Sequence, residues 1–197
     1  MTSFVRRALV VSSLLVAAAF VPGSATADAP LPPIGQPQVM VYSVPNSTTP
    51  KIVVRAHLAE PPRKVWAIVS DCSKYASRMP RVAKSRLVSK VGNKHTCEVT
   101  LSLPFPLSNL TAVTEAVHQE SERKMSRRWK LVSGDYSVND GSWEVEAADP
   151  EGKTSLVTYS VHAEPNTAVP DFLRAQAQKK ALPELIARVG AEAAKLP

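Results

Sequence analysis

Two charged side chains sit where the pattern of their neighbours predicts apolar surroundings. Arg127 falls between Met125 and Trp129 in one alternating run, and Glu115 falls between Val113 and Val117 in the run before it. Strand parity turns each toward the same side as its apolar neighbours. A buried charge without a partner costs several kcal/mol, so the two are expected to lie close together, or one of them to meet a polar ligand head or water. The adjacent Arg128 leaves a second reading open, in which a register break turns Arg127 to solvent as an ordinary surface arginine. Acid–base chemistry would require residues such as Arg127, Glu115, His95 or Tyr159 to converge on one point.

Other chemistry finds little support. His57, His95, His118 and His162 are far apart in sequence and show no metal-ligand spacing, so they read as surface or satisfied histidines and no metal site is expected. No Gly-x-Ser-x-Gly elbow marks a nucleophile and no glycine loop is built to cradle phosphate, so no catalytic residue and no cofactor is nominated. Cys72 and Cys97 would be free to pair in an oxidising compartment, although spacing alone does not place them within bonding distance.

The elements that must position these residues follow from hydrophobic period. Ile52, Val54, Ala56 and Leu58 share one face of a strand. Glu60-Pro61-Pro62 opens a short helix through Val65, Trp66, Ile68 and Val69, and Asp71 or Ser73 caps a second that Pro80 ends. Six strands follow, at Ala83 to Val91, His95 to Leu103, Leu110 to Gln119, Lys124 to Val132, Ser142 to Ala148 and Ser155 to Ala163, with Asn139-Asp140-Gly141 read as one of the turns. The chain closes on a long helical pattern from Val169-Pro170-Asp171 to Leu196, irregular near Lys179 to Pro183 because Pro183 removes a backbone donor. One antiparallel sheet of seven strands therefore has a single long helix to cover its apolar face, and a strongly curved sheet leaves a hollow beneath it. Parity points His95, Val99, Leu101, Met125, Arg127, Trp129, Trp143 and Tyr159 into that hollow. Phe105, in Pro104-Phe105-Pro106, either forms the rim of the pocket and dips into a membrane, or packs on the start of the long helix.

Ahead of this domain, residues 1–27 carry Arg6-Arg7, an uncharged apolar run from Ala8 to Val21, and the small residues Ser24 to Ala27, the pattern of a cleavable secretory signal. Residues 28–50 form a proline-rich arm, with Val39 to Val44 able to add a marginal edge strand. The domain proper spans 51–197. Cleavage removes two of 24 basic residues and none of 17 acids, leaving 22 against 17, or +5. A charge this modest, without a basic stripe interleaved with aromatics, argues against nucleic acid and suits transient contact with an anionic membrane surface.

The order of these elements resembles the helix-grip fold of the START and Bet v 1 superfamily, including its polyketide-cyclase-like and coenzyme-Q-binding branches. The resemblance rests on Pro61 to Asp71, Tyr75 with Met79-Pro80, Leu103 to Ser108, and Val169 to Leu173 with Lys179 to Pro183. It implies an α+β fold whose cavity holds a lipid, sterol, quinone or similar apolar molecule, with Phe172 at the helix start among the lining residues. A binding or carrier protein outside the cytosol is the preferred function. The alternatives are a cyclase or hydratase using the polar residues of the same cavity, and a protein-interaction module with a filled core.

Overall fold

The computed structural model describes residues 30–170, 172–173 and 177–197, and the elements below all belong to one compact unit, 31–197. The expected signal segment, 1–27, lies outside the described residues, as does Asp171 at the expected start of the terminal helix. No helix among the described residues is long and apolar enough to cross a membrane.

Eight strands form one antiparallel sheet: β1 (Gln38–Tyr42), β2 (Lys51–Leu58), β3 (Val82–Val91), β4 (Lys94–Leu101), β5 (Leu110–Glu120), β6 (Lys124–Gly134), β7 (Tyr136–Ala147) and β8 (Ser155–Pro165). They run in the order β1-β2-β8-β7-β6-β5-β4-β3. The eighth strand is the arm's own: Gln38–Tyr42 pairs with β2, from Gln38 opposite Arg55 to Tyr42 opposite Lys51. Upstream of it Pro32 is fully buried and the Gly35 N–H donates to the His57 carbonyl at 3.4 Å, while Leu31 and Ile34 are exposed.

Between β2 and β3 the chain crosses from one side of the sheet to the other through the expected helical elbow. Helix α1 (Pro62–Val69) starts on Pro62, where a missing N–H breaks no helical bond, and buries Val65, Trp66, Ile68 and Val69. A single 3-10 turn, Cys72–Lys74, follows with Asp71 as its cap, accepting from the Ser73 backbone N–H at 3.2 Å, and leads into α2 (Tyr75–Arg78). Helix α3 (Leu182–Ala194) is preceded by a π turn, Ala177–Ala181. That irregularity falls where Pro183 withholds its backbone donor, as expected. α3 packs on α1, α2 and β2 through Ile186, Val189 and Ala193, all buried; each fully buried valine or isoleucine contributes about 1.5–3 kcal/mol.

One expected turn does not exist. Asn139-Asp140-Gly141 lies inside β7, which begins at Tyr136, and the reversal between β6 and β7 is made at Gly134, with φ of +131°. A side chain at Gly134 would sit 2.2 Å from the Thr111 carbonyl oxygen. Gly141 is bare for a similar reason and one more: a Cβ there would lie 2.2 Å from the Ser160 carbonyl oxygen and 2.5 Å from Cζ2 of Trp129, whose indole lies across the strand and donates to Asn139 Oδ1 at 3.1 Å.

Candidate functional site

Exposure along the concave face of the sheet grades from one end to the other. On β6, Met125 and Arg127 are buried and Leu131 is half-buried. Cys97, Val99 and Leu101 on β4 follow the same sequence from buried to 37% exposed, and Val157, Tyr159 and Val161 on β8 pass from buried to half-buried. The buried end is covered by α1 and the elbow. Beyond the more exposed end of β4 comes the loop 102–109, whose Phe105 is 96% exposed, so the alternative in which Phe105 packs on the helix does not hold. Phe172, the candidate at the start of the terminal helix, is 68% exposed. An apolar molecule laid along this face would meet apolar side chains from Trp129 and Tyr159 toward Leu131 and Leu101, and charge only at the buried end.

At the buried end Arg127 is 3% exposed, so parity holds and the register break that would carry it to solvent is absent. Its guanidinium lies 5.4 Å from the Trp129 ring centroid and 5.8 Å from that of Tyr75. Nη2 approaches Cys97 Sγ at 3.5 Å, and Nε has no hydrogen-bond partner. Cys97 is bonded to Cys72, Cα to Cα 6.3 Å, which ties the elbow to β4 directly beside the arginine. Tyr75 is held over this point by donating its hydroxyl to the Val69 carbonyl.

Glu115 does not join them. It stands on the outer face of β5, exposed and paired with Lys94 at 3.4 Å. The inward face of β5 consists of Leu110, Ala112, Thr114, Ala116 and His118. The size of Val113 and Val117 suggested the opposite face, but the one large ring of β6 favours the other: fully buried Ala116 is opposite the Trp129 indole, which fills the space a bulkier residue would need. No carboxylate pairs with Arg127 among the described residues.

His118 replaces Glu115 as the cross-strand neighbour of Arg127. It is 6% exposed, its Nε2 is buried without a partner, and it is neither a surface nor a satisfied histidine. It packs edge-on against Trp66 at 5.3 Å and against His95 at 3.9 Å between centroids. Burial, reinforced by His95, Arg127 and Lys90, lowers the His118 pKa to about 3, so the ring is neutral near pH 7. His95 is lowered as well, first by burial and then by Lys90 and Arg127. Burial pushes the Tyr75 and Tyr159 hydroxyls up, so both stay protonated. Trp143, Tyr159 and Trp129 form the next layer, with Tyr159 at 4.4 Å from Trp143 and 6.0 Å from Trp129.

Sequence reasoning missed Tyr75 and His118 as members of this site. A periodicity reading of the Leu110 to Glu120 run that gave small residues equal weight with valine would have found His118. Two depressions lie elsewhere. One of about 650 Å³ is on the outer face, lined by Glu115, Arg128, Lys130 and Val132; one of about 330 Å³ lies between the Gly35 turn, His57 and Leu58 of β2, and Ile186 of α3.

Comparison with known proteins bears on this geometry. No curated protein matches the chain. Among solved structures, the STAR-related lipid transfer protein fragment from Xanthomonas axonopodis aligns with a TM-score of 0.69 at 19% identity, covering 81% of this chain and 94% of that one. Human STARD10 aligns at 0.70 and 15% identity, covering 82% and 70%. The Zhui aromatase/cyclase from a Streptomyces species aligns at 0.57 and 14% identity, covering 72% and 92%. Likeness at these identities concerns the fold, and it is the helix-grip fold of START proteins. The model of the family described as polyketide cyclase / dehydrase and lipid transport matches residues 58–189, more than half of the sequence, and the chain belongs to that family.

Proposed function

We propose that the protein is an exported carrier that holds an apolar small molecule along the concave face of its sheet and exchanges it at membrane surfaces. The observation that carries this reading is the gradient of exposure along β4, β6 and β8, which ends beside a loop presenting Phe105 to solvent. A large exposed aromatic between two prolines stabilises nothing in the fold and suits insertion among lipid tails. The exposed Lys179 and Lys180 and the expected charge of +5 suit an anionic surface. Export is supported by the Arg6-Arg7 and apolar pattern, and by the Cys72–Cys97 bond, which belongs in an oxidising compartment. Lipid transfer, named for the family and for the Xanthomonas relative, fits the same reading.

The cyclase or hydratase reading draws on the contact between His95 and His118 beside Arg127. Its carboxylate is gone, since Glu115 faces outward, and a histidine with pKa about 3 is a poor base near neutral pH. Mass spectrometry of organic extracts from protein purified out of its native compartment separates the possibilities. A stoichiometric apolar molecule is expected. No extractable molecule, together with no uptake of added lipids, would instead identify an interaction module with a filled core.

A further inference from the structure

Resting on the carrier reading, a more specific property of the guest follows from the buried end of the groove. Arg127 and His118 stand opposite each other on adjacent strands, both more than nine-tenths buried, and each has a buried nitrogen with no partner: Nε of Arg127 and Nε2 of His118. Buried polar atoms in folded proteins are bonded in the great majority of cases, so two orphans on cross-strand neighbours of the inward face need an explanation. We propose that the guest carries a single anionic head, a carboxylate or a phosphate, which docks on Arg127 and His118 with its apolar tail running along Trp129 and Tyr159 toward the open end.

Charge, more than hydrogen bonding, selects the anion. A hydroxyl or ketone head would satisfy one N–H but leave the guanidinium's positive charge uncompensated in a low-dielectric site. The nearby carboxylates are engaged elsewhere: Asp71 with Ser73 and Lys74, Glu120 with Arg63, and Glu115 with Lys94. The rings of Tyr75 and Trp129, at 5.8 and 5.4 Å, offset part of the charge but carry none of their own. In the tautomer with its proton on Nε2, a neutral His118 would add a second donor without adding charge, so the site holds one positive charge.

The test is calorimetric titration of the delipidated protein with dodecanoate, dodecyl phosphate and dodecan-1-ol. At least one of the two anions is expected to bind about 30-fold or more tightly than the alcohol, the lower end of what loss of one partner of a buried charge pair costs, and the tighter anion identifies the head. Arg127→Met is expected to bring all three to the affinity of the alcohol, whereas Arg127→Lys, which keeps the charge but loses Nε, retains part of the preference. Binding of both anions no tighter than the alcohol by the unmodified protein overturns the anionic head and leaves the carrier standing. Failure of all three to bind overturns the carrier reading and this one with it. The comparison of probes on the unmodified protein needs no variant to fold.

Discussion

Replacing Arg127 by methionine should make the ligand-free protein more stable while removing the proposed preference for an anionic head. The buried guanidinium has no carboxylate partner, one weak contact to Cys97 Sγ at 3.5 Å and two ring contacts at 5.4 and 5.8 Å. Desolvating such a charge costs several kcal/mol, against which each cation–π contact returns about 0.5–2 kcal/mol. Methionine is of similar length, meets the same rings, and recovers about 0.3–1.5 kcal/mol per sulfur–aromatic contact without any charge to desolvate. The balance favours the variant by about 1–3 kcal/mol. For a domain of this size that is a rise in Tm of about 2–12 °C. The assay is scanning calorimetry of delipidated protein at pH 7 with the disulfide intact. A lower Tm for Arg127→Met would refute the reasoning, because it would mean that the ring contacts outweigh the burial cost and that Arg127 is present for stability.

Other perturbations probe the surroundings of this residue. Gly141→Ala should destabilise by about 1–3 kcal/mol and shift Trp129 fluorescence, since the added Cβ meets the indole at 2.5 Å and the Ser160 carbonyl at 2.2 Å; an unchanged denaturation midpoint would show that the sheet yields there. Removing the Cys72–Cys97 bond by paired alanine substitution should cost about 3.5 kcal/mol, from loop closure over a sequence separation of 25, and a loss near zero in urea titration would contradict this. His118 has a folded-state pKa of about 3 against 6.5, so its contribution is complete above pH 6.5 and is lost as pH falls toward 3. Between pH 6.5 and 4.5, before carboxylates with an ordinary value near 4.5 titrate, acidification should lower stability in the native protein and much less in His118→Phe; parallel profiles would exclude the histidine as the cause. Phe105→Asp should reduce association with anionic vesicles at unchanged Tm, because the ring is 96% exposed; equal loss of both would give the ring a packing role.

The elements were legible wherever local chemistry and tertiary packing agree. Pro62 at a helix start, Asp71 as a cap and Pro183 beside an irregular turn each act through their own backbone, so each could be placed from its neighbours alone. Glu115 and Gly141 were misread because their roles are set by residues on another strand. Asn-Asp-Gly is turn chemistry in isolation, but once Trp129 lies across the strand the glycine becomes the one residue that leaves room for the indole. The same ring makes small residues on β5 face inward and valines face outward, which reverses the usual rule that the larger apolar residue marks the core. Both errors therefore share one cause: Trp129 on the inward face is flanked by Ala116 of β5 and Gly141 of β7, small residues whose orientation is set by the indole between them. Ala116 and Gly141, residues with no chemistry of their own, thus leave the room that Trp129 occupies, while the proposed anion site rests on Arg127 and His118.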